Sequence, residues 1–444
     1  MVLSERTLHL NVNITNLGRQ AGAWRLLDDP AAFIDVDFYR TIAQVAEQGT
    51  FDAVFLSDAL VLLEEPPMEP FQSLEPTVLL TALAAVTERI GLIATASTTF
   101  NEPFNLARRL ASLDHVSRGR AALNLVTTFS PGAAANFNDS GPSDHGARYA
   151  RAEEFTDVLC KLWDSWDDGA IIGDREGRRL FDAAHIHPVD HVGAHYSVRG
   201  PALVPRSPQG RPVLVQAGSS DVGRAFGSRV ADAIFTSQTT FRGAQDFYAD
   251  MKARAVTWGR NPDHVVVLPG LYVVVGSTEE EAHRRKENLD AMFDLDHESA
   301  KLAERLGLTA GDLALDQELP FDKLNDVEKF PGSHGFFEST VRLAYENNLT
   351  VHQLLLRNAG AHHQVVGGPE QIADTIEAWF RNGAADGFNI NFDLYPSGLE
   401  TFTEHVIPVL RERGLFRHEY TGTTLRDHLG IPRPPSQYAI ENAE

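Results

Sequence analysis

The chain has 444 residues, with 39 Lys and Arg against 61 Asp and Glu, for a formal net charge of −22. That acidic balance argues against nucleic acid or an anionic membrane as a partner, yet it leaves room for a local cluster that takes a small anion. A hydrophobic content of 43% supports a substantial core, and a single cysteine, Cys160, excludes an intrachain disulfide. No apolar run reaches membrane-spanning length and the N-terminus lacks the shape of a signal peptide, so a cytoplasmic protein is expected.

Short apolar runs alternate with amphipathic helical patterns almost from end to end, the pattern of parallel α/β architecture. Strands are expected at His9–Ile14, Ala53–Leu56, Gly91–Ala96, Ala121–Val126, Val213–Gln216, Ala233–Phe235, Val265–Val275 and Gly387–Phe392. Helical patterns lie between them, for example Val36–Gln48, Pro76–Thr87, Leu106–Val116 and Arg151–Trp163. In the last, Phe155, Val158, Leu159, Leu162, Trp163 and Trp166 recur with helical spacing as one apolar stripe. A further helix opens at Gly368-Pro369-Glu370, with proline suited to the first helical position, and stops at Gly383.

Two stretches exceed a minimal barrel. Residues from about 167 to 210, rich in Gly, Pro, His and Asp, read as an insertion with hairpins. Residues from about 278 to 364 are mostly charged helical patterns around Phe330-Pro-Gly-Ser-His-Gly335 and read as a lid. The expected architecture is an α/β, (β/α)8 TIM barrel with both insertions over or beside its C-terminal mouth. Residues 1–414 would form one barrel domain and 415–444 a tail packed on the barrel or on a partner subunit.

The most informative tract runs from Arg211 to Gly227: a short strand, a Gly218-Ser219-Ser220 turn, then a helix start. Unpaired N–H groups and the positive end of the dipole at such a start attract phosphate, although a serine-capped turn of ordinary kind fits the same residues. Strand tips on the C-terminal face add candidates. Asp58 follows the second strand, either as a carboxylate at the mouth or as a cap or ion pair. Thr95 and Ser97 end the third. Asn124 is an amide inside an apolar strand, which needs either a heterocycle or an internal network to satisfy it. His145 and Tyr149 share a helical face if the helix begins that early, and Tyr149 would then donate to a phosphate across from the serines. The apolar, proline-stiffened loop Ala59–Phe71 hints at a partly hydrophobic substrate, and His334, Arg357, His362 and His363 of the lid are either partners for a carboxylate or solvated lid residues.

A set of segments then occurs in order: His9-Leu-Asn11, Gly22-Ala-Trp-Arg25, Phe51-Asp-Ala-Val-Phe-Leu-Ser-Asp58, Leu123-Asn-Leu-Val-Thr127, His145-Gly-Ala-Arg-Tyr149, Leu162-Trp-Asp-Ser-Trp166, Arg199-Gly-Pro201, Pro205-Arg-Ser-Pro-Gln-Gly210, Val215-Gln-Ala-Gly-Ser219 and Gly383-Ala-Ala-Asp-Gly-Phe388. Together they resemble the nitrilotriacetate monooxygenase branch of the bacterial luciferase-like flavin enzymes, from the first strand to Leu425-Arg-Asp-His-Leu429. The resemblance implies a barrel that uses FMN, with Asp58, Thr95 and Asn124 near the isoalloxazine and Tyr149, Ser219 and Ser220 at the phosphate, His145 beside them. It implies a two-component monooxygenase whose FMNH2 comes from a separate NAD(P)H:FMN reductase and reacts with O2 through a flavin hydroperoxide to oxidise a small organic substrate. No side chain is assigned as an obligatory nucleophile. A homodimer or homotetramer is implied as well. Thr128-Phe129 stands where many relatives have Ser-His or Ser-Leu, which leaves specificity unassigned.

Rival readings remain. A deazaflavin-dependent oxidoreductase would share the fold, and a flavin-binding protein without turnover is a non-enzymatic alternative. A metal-dependent barrel hydrolase would use His185-Ile-His187 with His191 and His195, but such a pair normally closes a first barrel strand and this one lies mid-chain beside Pro188; no metal is assigned.

Overall fold

All eight expected strands form, and each pairs in parallel with both neighbours. The computed structural model describes the chain apart from residues 1–5, 16, 21, 63–73, 138–143, 325–333, 358–360 and 439–444. The barrel strands are β1 (His9–Ile14), β2 (Ala53–Leu56), β3 (Gly91–Ser97), β4 (Ala121–Val126), β5 (Val213–Gln216), β6 (Ala233–Thr236), β7 (Val266–Val275) and β8 (Gly387–Phe392). They hydrogen-bond in chain order, and β8 closes the ring on β1 with Asn11 opposite Asn389. The fold is therefore a TIM barrel. A ninth parallel strand, His363–Gly367, was not anticipated; it hangs on the outer half of β7, with Leu271 opposite His363. Ten-residue β7 outruns its barrel partners and offers it a free edge.

Helices α1 (Val36–Gln48), α2 (Pro76–Ala84), α3 (Pro103–Val116), α4 (His145–Asp164), α5 (Asp221–Val230) and α6 (Phe241–Thr257) follow the strands. Then come α7 (Glu279–Asp290), α8 (Leu295–Arg305), α9 (His334–Asn347) and α10 (Val351–Arg357), and α11 (Pro369–Arg381) precedes β8. Helix α4 starts six residues before the apolar stripe suggests, because the Asp144 carboxylate accepts the Ala147 N–H and caps it there.

Strand side chains alternate between two cores. Leu10, Val12, Val54, Leu92, Leu123 and Leu214 face the helices. Phe55, Ile93, Ala122, Val215 and Leu268 face inward, where Leu425, Leu429 and Ile431 of the tail join them. A Cβ on Gly91 would lie 2.5 Å from Leu425 Cδ1, so the tail seals the N-terminal end of the barrel.

The 167–210 insertion contains two small antiparallel hairpins, Ile171–Asp174 with Arg179–Phe181 and His191–Val192 with Ser197–Val198. It does not lie over the mouth. It leaves α4 at its C-terminus, which is at the barrel's N-terminal end, and is tied there by Arg206 to Asp164 (3.2 Å) and by Arg433 of the tail to Asp168 (2.6 Å). The 278–364 segment leaves the C-terminal tip of β7 instead and builds a helical layer with its own core, including Leu302, Leu306, Phe337, Leu349 and Leu354. The break at 330–333 lies outside the described residues.

Candidate active site

Three helices aim their N-termini at one cleft beyond the tips of β4 and β5. Its walls include His145 and Tyr149 from the first turns of α4, Gly218 to Ser220 before α5, and His334 to Phe336 from α9, around a cavity of about 150 Å³. A helix start carries N–H groups without an intrahelical partner and roughly half a positive charge; on α4 and α5 Asp144 and Ser220 each accept one of them. The only acidic residue in the first turn of α5, Asp221, is neutralised by Arg254 at 2.6 Å.

The cleft is shaped for close backbone approach. Ser220 caps α5, its Oγ accepting the Gly223 N–H, and lies 3.3 Å from His145 Nε2. Ser219 Oγ lies 3.4 Å from Thr236 Oγ1 on β6. A Cβ on Gly218 would sit 2.4 Å from Gln216 Nε2 and 2.7 Å from the Tyr149 hydroxyl, and one on Gly223 would sit 2.8 Å from that hydroxyl. At both places a side chain is opposed by contact, not by backbone angle, and would have to displace the Tyr149 hydroxyl. Tyr149 is only 6% exposed, its ring packed edge-on against Phe226, and its hydroxyl lies at the cleft wall beside Gly218 and Gly223. A phenol O–H on the wall of a cleft ringed by helix starts fits a ligand that accepts from it. A phosphate would do so, with the serine hydroxyls and the start of α5 beside it.

Thr95 and Asn124 sit side by side one strand away, in register on β3 and β4, with Asn124 Nδ2 donating to Thr95 Oγ1 at 3.0 Å. Asn124 Oδ1 is buried and unpartnered. The cleft begins at Leu125, the next residue along β4, so these groups continue it into the barrel mouth. Asp58 follows β2; burial and the nearby Glu75 push its carboxyl up, against the Ala59 N–H and Arg109. The structure places Asp58 beside Glu75 and Arg109 rather than with the Thr95–Asn124 pair.

The lid residues separate. His334 stacks on His145 with rings 5.6 Å apart and 3° from parallel. His362 is buried inside the barrel, where a Cβ on Gly270 would lie 2.3 Å from its Nδ1; burial holds its imidazole far below the usual range, so it is neutral and offers a carboxylate no charge. His363 contacts the Thr239 carbonyl at 3.0 Å and packs on Trp379, and Arg357 is exposed at the end of α10. Residues 63–71 of the loop after β2 lie outside the described residues. Of the mid-chain histidines, His185 lies on Asp182 at 3.2 Å, His187 on Asp167 at 3.0 Å and His191 on Glu154 at 3.1 Å. Among the described residues no group of three or more His, Cys, Asp or Glu is arranged to hold a metal ion.

Residues 20–386 match the family model described as luciferase-like monooxygenase. The chain belongs to that family. It is 42% identical over 438 residues to nitrilotriacetate monooxygenase component A of Aminobacter aminovorans, covering 95% of this chain and 96% of that one. It is 40% identical over 443 residues to N-acetyl-S-(2-succino)cysteine monooxygenase of Bacillus subtilis (strain 168), covering 99% and 100%. Among solved structures it resembles the EDTA monooxygenase of Chelativorans sp. BNC1, with a TM-score of 0.83, 35% identity and coverage of 97% and 100%.

As a luciferase-like monooxygenase the chain is a flavin-dependent enzyme, and sequence reasoning missed part of its cleft. Arg148 lines it one residue from Tyr149 and was legible in the same His-Gly-Ala-Arg-Tyr tract, where attention to the four-residue spacing passed over it. Gly335 and Phe336 had no local signal, because only the docking of the lid brings them there.

Proposed function

We propose that this chain is the oxygenating component of a two-component monooxygenase, taking FMNH2 from a separate NAD(P)H-dependent reductase and using O2 to oxidise a small organic substrate. The observation that carries the reading is the convergence of the starts of α4, α5 and α9 on one cleft that Tyr149, Ser219 and Ser220 line. The name "component A" of one relative supports a separate reductase. The carboxylates and thioether named in the relatives leave the substrate of this chain open.

Bound reduced flavin supplies the electrons that activate O2. The protein's part is to bind, orient and exclude water. Tyr149 donates to the phosphate, Ser219 and Ser220 add hydroxyls and the start of α5 adds N–H groups. Arg148 brings a cation to the same wall. Thr95 and Asn124 lie where the ring would extend, and Asn124 Oδ1 is an acceptor awaiting an N–H. The helical layer over β5 and β6 keeps bulk solvent from the reacting centre.

Titration of reduced FMN and reduced riboflavin tests this reading. Tyr149→Phe and Ser220→Ala should each weaken FMN binding by about tenfold, the worth of a hydrogen bond to a charged group. Riboflavin, lacking the phosphate, should be affected little. Unchanged FMN affinity in both variants would sink the assignment.

A further inference from the structure

The inner face of β1 is polar where those of β2 and β5 are apolar. Leu10, Val12 and Ile14 face the helices, so Asn11 and Asn13 face the barrel interior, where they are 2% and 3% exposed. Each ends a two-amide relay across the seam between β8 and β1. Asn391 Nδ2 donates to the Asn389 carbonyl at 3.2 Å, and its Oδ1 accepts Asn13 Nδ2 at 2.8 Å. Asn389 Nδ2 donates to the Leu268 carbonyl at 3.3 Å, and its Oδ1 accepts Asn11 Nδ2 at 3.0 Å. A backbone carbonyl can only accept, so both relays run in one direction and the amide orientations follow from the network. Asn11 Oδ1 and Asn13 Oδ1 are thereby left as buried acceptors without a partner. Thr15 Oγ1, at the next alternate position toward the mouth, is buried and unpartnered as well.

We propose that Asn11 and Asn13 form a substrate wall inside the barrel and hold a group with two or more N–H donors, such as a protonated amine, so that the enzyme selects an amine-bearing substrate over a carboxylate. The inference rests on the proposed function and names the substrate class of that same site. Two alternate positions on a strand are about 7 Å apart, a gap that one group donating in both directions bridges. An acceptor buried without a donor is costly, and hydrogen bonds from an ionised donor are about twice as strong as neutral ones. The place suits a substrate and not the cofactor's phosphate. In a ring of eight strands bonded in chain order, β1 stands across the barrel from β5, whose tip carries the serine turn. On β2, Ala53 and Phe55 stand in register with Asn11 and Asn13 and give a carbon skeleton an apolar neighbour. A carboxylate is disfavoured by the same arrangement. Asn11 and Asn13 turn oxygens toward it, and His362, seated on Gly270 in register with Asn389, is neutral. The net charge of −22 also draws cations to the molecule.

Calorimetric titration of the full-length protein holding FMN, with butylammonium, butyramide and butyrate at neutral pH, reads the preference. Butylammonium should bind at least about tenfold more tightly than butyrate, with butyramide between them. The double variant Asn13→Leu/Asn391→Leu removes one relay whole, donor and acceptor together, a change that buried pairs tolerate. It should abolish the difference between the two ions and leave FMN affinity as it was. Butyrate bound by the unmodified protein as tightly as butylammonium, or neither bound, overturns the inference. A double variant that keeps the preference overturns it too, and so does one that weakens FMN with no amine present, since the acceptors would then serve the isoalloxazine. If the amine is preferred by a protein that does not favour FMN over riboflavin, the amine wall stands and the phosphate reading falls. If FMN is favoured and the amine is not, the phosphate reading stands and this inference falls. The three probes on the unmodified protein decide the matter even where the variant fails to fold.

Discussion

Gly218 is where one methyl group separates a working cleft from a filled one. A Cβ there would meet both Tyr149 and Gln216 inside 3 Å, so Gly218→Ala must push one of them aside. FMN affinity should fall by at least about tenfold, and thermal stability should fall by about 1–3 kcal/mol, the usual cost of overpacking. An equilibrium titration beside a thermal melt checks both. Asp52 gives the clearest pH dependence. It is fully buried, which would raise its pKa, but Arg417 at 2.5 Å and His9 at 3.1 Å hold it at about 2, while the Leu10 N–H donates to its other oxygen at 2.7 Å. Its folded value lies below the unfolded one, so its contribution is present above about pH 4 and is lost as pH falls toward 2. The shift is worth about 2–3 kcal/mol. Asp52→Asn should lower neutral-pH stability by at least that amount and flatten the acid limb of the denaturant midpoint against pH. An unaltered acid limb would contradict the pairing. That Tyr149 and the two serines share one cleft was readable in the sequence from local spacing, a four-residue helical interval and a turn. The fate of His362 was not, since only the gap at Gly270 admits its ring.

At the scale of elements, the start of α4 matters most. Its Asp144 cap fixes the turn that carries His145, Arg148 and Tyr149. Asp144→Ala should cost about 1 kcal/mol of helix stability and, by loosening that turn, weaken FMN binding roughly fivefold. Circular dichroism separates the two effects if the first turn frays without the helix melting. Periodicity placed the body of this helix but not its beginning, because the first turns are too polar to show a stripe. The strand His363–Gly367 escaped notice for a related reason. Five residues bonded along one edge leave half their side chains partly exposed, and nothing in their composition requires a strand.

At the scale of the molecule, the eight strands were legible because a strand buried on both faces must be apolar for several residues running. Which end each insertion occupies follows from connectivity: segments after a strand lie at the mouth and segments after a helix lie at the floor. The 167–210 hairpins follow α4 and lie at the floor. The tail's role as a plug could not be read, because Leu425, Leu429 and Ile431 look like any short amphipathic turn until the barrel is closed around them. Leu425→Ala should therefore destabilise the whole barrel by about 2–5 kcal/mol in denaturant titration, while leaving the FMN to riboflavin affinity ratio unchanged. A loss confined to local fraying of the tail would refute the plug.

The central claim is tested most directly by a crystal structure of the protein with FMN bound. The phosphate should be found within hydrogen-bond reach of the Tyr149 hydroxyl and Ser220 Oγ, with the ring extending past Asn124. A phosphate seated anywhere else on the chain would contradict the account.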